Sequence, residues 1–131
     1  MNEQLICEYK KFLDNGKTER ECVLQLISLA EEKGYKNIND FETLKAGDKV
    51  YITKMNKAIA LFEIGKDSLE NGLNILGAHL DSPRLDAKQN PLYEKENITY
   101  LNTHYYGGIK KYQWTAIPLA IHGVVCKKDG S

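Results

Sequence analysis

The sequence predicts an α/β fold in which two helices lead into a sheet. Three observations predict it. Apolar residues recur at helical spacing in the first third of the chain. Short β-branched and apolar runs bounded by turn residues follow. The composition, 42% hydrophobic and 27% charged over 131 residues, suits a packed domain rather than a disordered chain.

Residues Glu3 to Asp14 form the first helix, with Leu5, Tyr9, Phe12 and Leu13 on one face. Asn15-Gly16 ends it. Thr18 opens the second helix, and Glu21 three residues later completes the capping-box pattern. Val23, Leu26, Ile27 and Ala30 supply its buried stripe, and Gly34 stops it. A short helical or turn segment follows around Asp40 to Leu44. Gly47-Asp48 is a turn. Val50, Ile52 and Thr53 begin a strand that ends near Met55, and Asn56-Lys57 is a hairpin turn. Ala58 to Ile64 is a second strand, apolar enough to lie inside a sheet. Gly65 to Gly72 is a polar loop, and Leu73 to Ala78 is a third strand running into His79. Asp81 to Thr115 lacks sustained periodicity and reads as a long loop, with short strands around Ile98 to Leu101. Ile117 to Val125 is a fourth strand. Lys127 to Gly130 is a turn. The last strand is followed only by this turn, an ending seldom met in a finished domain.

Several function classes are disfavoured. Lys plus Arg and Asp plus Glu number 18 each, for a formal net charge of zero. No overall field draws in nucleic acid or an acidic membrane. The pairs Lys110-Lys111 and Lys127-Lys128 read as solvated surface. Aromatic residues do not alternate with basic ones as an RNA-binding sheet requires. The three cysteines, Cys7, Cys22 and Cys126, are odd in number and widely spaced, against a disulfide scaffold or a thiolate metal site. Cys7 and Cys22 fall on apolar helix positions and read as buried thiols. The chain shows neither a signal-peptide pattern nor a run approaching a membrane span. The expectation is a cytoplasmic protein with neither nucleic-acid nor membrane partners.

The segment Gly77 to Asp86, GAHLDSPRLD, carries the most chemistry. A strand ending in His79 puts the imidazole where open sheets build their sites. Asp81, two residues on, points the same way if the chain stays extended. A neutral imidazole suits zinc, cobalt or manganese, and a carboxylate at its other nitrogen would fix the tautomer. On spacing alone, a structural histidine at a strand end is the commoner account. Arg84 and Lys88 read as surface residues. Asp86, Glu94 and Glu96 read as loop acids. His104 reads as solvated or locally hydrogen-bonded, and His122 as a core or sheet-face residue. Gly107-Gly108 reads as a tight turn.

His79-Leu80-Asp81-Ser82-Pro83 with its surroundings resembles the aspartyl aminopeptidase family of metallopeptidases, which carries an HxDSP motif after a core strand. Leu85, Lys88, Asn90 to Glu94, Tyr106-Gly107-Gly108, Trp114, Pro118-Leu119 and Gly123-Val124 continue the likeness, which spans most of the chain. The resemblance implies a mixed-sheet, zinc-exopeptidase-like catalytic domain with leading helices. Residues 1–131 would be its N-terminal part, without the remaining ligands or the inserted oligomerisation domain. It implies His79 as a metal ligand and Asp81 as the catalytic-site acid that orients it. It also implies two zinc ions, with cobalt or manganese as substitutes, peptide substrates and a homo-oligomeric parent. The reaction implied is hydrolysis of the N-terminal peptide bond. The alternative is a non-catalytic binding or assembly module.

Overall fold

The structure, a computed structural model, describes residues 3–131. It has helices followed by strands, as expected of an α/β chain, and divides into two compact units that meet in sequence at Asp81 and Ser82.

The first unit opens with α1 (Glu3–Asn15) and α2 (Glu19–Glu32). The capping box forms as the sequence predicts. Thr18 Oγ1 accepts from the Glu21 backbone N–H, and Glu21 Oε2 accepts from the backbone N–H groups of Thr18 at 2.9 Å and Lys17 at 2.8 Å. At the other end, Gly34 takes φ +85°. Its N–H reaches Glu31 O at 2.9 Å, while the Tyr35 N–H reaches Ala30 O at 3.0 Å. This pair of bonds is the Schellman arrangement, which needs a left-handed residue after the cap.

Three strands follow: β1 (Lys36–Asn37), β2 (Lys49–Lys54) and β3 (Ala58–Glu63). They make a mixed sheet in the order β1-β2-β3, with β1 parallel to β2 and β3 antiparallel to it. A 3-10 turn at Ile38–Asp40 stands slightly before the expected Asp40 to Leu44 segment. α2 packs on β2 and β3. The core holds Cys22, Val23 and Ala30 from α2 with Val50 and Tyr51 from β2. Val23 and Val50 are wholly buried, each contributing about 1.5–3 kcal/mol.

The β2–β3 turn lies one residue before the expected Asn56-Lys57. Met55 (φ +52°) and Asn56 (φ +54°) are its central residues, and Lys57 N–H donates to Lys54 O at 2.9 Å. Two left-handed residues in succession match the right-handed twist of the flanking strands. β3 corrects the expectation of an interior strand. It is the sheet edge among the described residues, and Leu61 and Phe62 are exposed. Leu73 to Ala78 is also corrected. It is exposed and forms no strand, because no neighbouring strand pairs its backbone among the described residues. Cys7 is exposed, against the expectation of a buried thiol; α2 covers little of α1, leaving Leu5, Tyr9 and Leu13 open as well.

The second unit is dominated by a hairpin of β4 (Arg84–Lys95) and β5 (Ile98–Tyr106). This replaces most of the long loop expected between Asp81 and Thr115, while the strand expected around Ile98 to Leu101 is the start of β5. The hairpin's turn is Glu96-Asn97, at φ +56° and +62°, again the left-handed pair of a tight hairpin. The ladder is irregular between Ala87 and Leu92, where Pro91 sits, a place in which a missing N–H costs no ladder bond. A short helix α3 (Lys111–Trp114) follows. Ile117 to Val125 is not the expected strand, and His122 within it is exposed rather than in a core or sheet face. No ladder partner reaches this run among the described residues. The turn at Lys127 to Gly130 is present.

Candidate metal-binding histidine

His79 and Asp81 lie in the irregular end of the first unit rather than at the tip of a strand. Their side chains nevertheless meet. His79 Nδ1 stands 3.0 Å from the backbone oxygen of Asp81 and 3.2 Å from its Oδ1. A carbonyl oxygen can only accept, so this contact requires the proton on Nδ1. In the neutral ring the lone pair then resides on Nε2. The His79 side chain is 84% exposed and that of Asp81 32%, so the imidazole is open to a ligand while the acid beneath it is partly enclosed.

This donor chemistry fits one position of a zinc site, where a neutral imidazole is held by a second group at its other nitrogen. Among the described residues no cluster of three or more His, Cys, Asp or Glu gathers in one place. The pair is visible in the sequence; the backbone carbonyl, which holds the ring at least as closely as the carboxylate, is not. No residue type signals a carbonyl, so only the local fold of Leu80 and Asp81 could reveal it.

The second unit carries its own polar cluster at the base of the hairpin. Arg84 Nε donates to Asp86 Oδ1 at 2.7 Å, and the guanidinium lies 4.2 Å over the Tyr106 ring. His104 Nε2 is 3.9 Å from Asp86 Oδ2. The cross-strand register pairs Arg84 with Tyr106 and Asp86 with His104, so the four side chains share one face. Arg84 is thus partnered rather than simply solvated. His104 is exposed, in keeping with the solvated reading, and Lys88, Glu94 and Glu96 are exposed too. The signal that could have found this cluster is the alternation of Arg84 and Asp86 against His104 and Tyr106.

The pattern of aminopeptidase I zinc metalloproteases, M18, matches residues 12–131. The chain belongs to this family. The "Probable M18 family aminopeptidase 1" of Clostridium acetobutylicum is 61% identical over 127 residues, covering 94% of this chain and 27% of that protein. The crystal structure of the M18-family aminopeptidase from Thermotoga maritima is similar with TM-score 0.89 and 47% identity, over 98% of this chain and 28% of that one. Aminopeptidase I from Borrelia burgdorferi is similar with TM-score 0.83 and 40% identity, over 99% and 34%. The chain therefore spans about a quarter to a third of the M18 proteins it matches. The resemblance carried by the HxDSP segment is borne out at the level of the family, and the α/β fold with it.

Proposed function

We propose that residues 1–131 are the N-terminal portion of an M18 metalloaminopeptidase that hydrolyses the N-terminal peptide bond of peptides. In this reading His79 binds one of two zinc ions through Nε2, and Asp81 holds the ring. The observation that carries it is the pair of Asp81 oxygens at Nδ1, an arrangement that in the neutral ring puts the lone pair on Nε2. The zinc named for the M18 family supports the choice of metal, with cobalt or manganese able to substitute. When bound, such ions supply Lewis acidity at the scissile carbonyl. The residues of this chain contribute position: Asp81 fixes the tautomer and angle of the ring, through its backbone oxygen as well as its carboxylate. The remaining ligands would come from the longer polypeptide, consistent with the 27% share of the relative's length. Peptide substrates, a homo-oligomeric parent and a cytoplasmic setting belong to the same proposal.

The test is His79→Ala in the full-length enzyme, with metal content measured by elemental analysis and turnover on aminoacyl substrates. Losing a direct ligand is expected to exceed the roughly 10–100-fold effect of losing a supporting group. Unchanged metal content and turnover would overturn the assignment. The isolated 131-residue chain is expected to show no turnover; measurable hydrolysis by it would refute the incomplete-site reading.

A further inference from the structure

The chain contains two Asn-Gly steps, Asn15-Gly16 and Asn71-Gly72, which the sequence alone does not distinguish. Asn-Gly is the step most prone to deamidation. Glycine has no Cβ to hinder its backbone nitrogen from reaching the preceding side-chain amide. The folded chain treats the two steps differently. Gly16 is buried at the α1–α2 junction. Its N–H is held by Phe12 O at 3.0 Å, an oxygen that also accepts from Gln25 Nε2 at 3.0 Å. A Cβ built on Gly16 would come within 2.8 Å of both Cys22 Sγ and Gln25 Nε2. Freeing this nitrogen means opening the packed junction around Gly16, Cys22 and Gln25. At the other step both residues are exposed. The Gly72 N–H is held only by Leu69 O, at 3.0 Å, in the three-residue 3-10 helix Leu69–Asn71. Leu69 and Leu73 beside it are 79% and 62% exposed, and nothing lies within 4 Å of a Cβ built on Gly72. Short 3-10 segments have poor hydrogen-bond geometry and open at little cost.

We propose that Asn71 is a site of spontaneous deamidation in the native protein, with water as co-reactant, and that Asn15 is protected. The Gly72 nitrogen, losing its proton to solvent base, bonds to Asn71 Cγ. The Cγ–Nδ2 bond breaks, and ammonia leaves with a proton taken from water. Water then opens the succinimide at either carbonyl, giving aspartate or isoaspartate. Either product places a new negative charge eight residues ahead of His79, and isoaspartate also adds a carbon to the backbone of that connecting segment.

The experiment ages the full-length protein at mildly alkaline pH, natively and in urea, and maps peptides by mass spectrometry with isoaspartate detection. Natively, Asn71 is expected to convert within about threefold of its urea rate, whereas Asn15 slows by about tenfold or more, since protection follows the cost of local opening. Asn71→Gln is expected to abolish the modified peptide while leaving the Asn15 peptide unchanged. Equal native rates at the two steps would overturn the proposal. So would native protection of Asn71 by about tenfold or more relative to urea. The readout is independent of metal binding and turnover, so it stands or falls apart from the catalytic assignment.

Discussion

The Tyr51 hydroxyl donates a 2.8 Å hydrogen bond to Glu31 Oε1, tying the central strand to the last turn of α2. Tyr51 is buried at 6% exposure. The bond to Glu31, then burial, then the carboxylate's charge hold the phenol's pKa above its ordinary value, only partly offset by Asn37. Tyr51→Phe is expected to lower stability by about 1 kcal/mol, the usual net worth of such a bond. The raised pKa means the folded state keeps a proton that the unfolded chain releases. Its contribution is therefore complete below about pH 10 and declines as pH rises further. Urea melts of both proteins from neutral to alkaline pH check this. The gap between them should narrow above about pH 10, and a gap that widens there would contradict the linkage.

The cap of α2 offers a cleaner local test. Thr18→Ala removes the acceptor for the Glu21 N–H and is expected to cost about 1 kcal/mol, with Thr18→Ser restoring most of it. Glu21→Ala removes the acceptor for two N–H groups at once, so it should cost at least as much. Thermal melts of the three variants rank them.

The helix caps were legible because a cap is a local device: Thr18, Glu21 and Gly34 act within a few residues of themselves. Strands are not local. Leu73 to Ala78 and Ile117 to Val125 have strand-forming residues, yet a strand exists only where a second backbone supplies its hydrogen bonds. Of the β4–β5 hairpin only the start of β5 was legible, for a different reason. Its turn is Glu-Asn rather than an Asn-Gly or Asp-Gly pair, and Pro91 with the register break hides the alternation. At the candidate site, the spacing of His79 and Asp81 was visible. The carbonyl that shares the imidazole proton was not.

That carbonyl leads to a prediction about metal affinity. In Asp81→Ala the carboxylate is gone but the backbone oxygen, at 3.0 Å from Nδ1, remains. The tautomer is then still supported, and zinc affinity of the full-length protein is expected to fall only about tenfold, the low end for a supporting group. Chelator-competition titration measures it. A loss well beyond a hundredfold would mean that Asp81 binds metal directly rather than through the ring.

The β2–β3 turn carries a strain that a substitution can remove. Met55 sits at φ +52° with its side chain 76% exposed. A left-handed conformation costs an ordinary residue about 1 kcal/mol, and asparagine much less because its side chain bonds locally. The tertiary contact at this position is made by the backbone: Arg20 Nη1 donates to Met55 O at 2.8 Å, and a side chain that keeps the left-handed turn leaves that oxygen in place. Met55→Asn with Asn56→Gly produces the Asn-Gly pair favoured in two-residue hairpins. The double variant is expected to gain about 1 kcal/mol, seen as a higher urea midpoint with an unchanged slope. Met55→Pro, whose ring fixes φ near −65°, is expected to lose more than the first variant gains, because it breaks the turn and displaces the oxygen that Arg20 holds. If Met55→Pro were neutral, the left-handed turn would not be what sets the β2–β3 register.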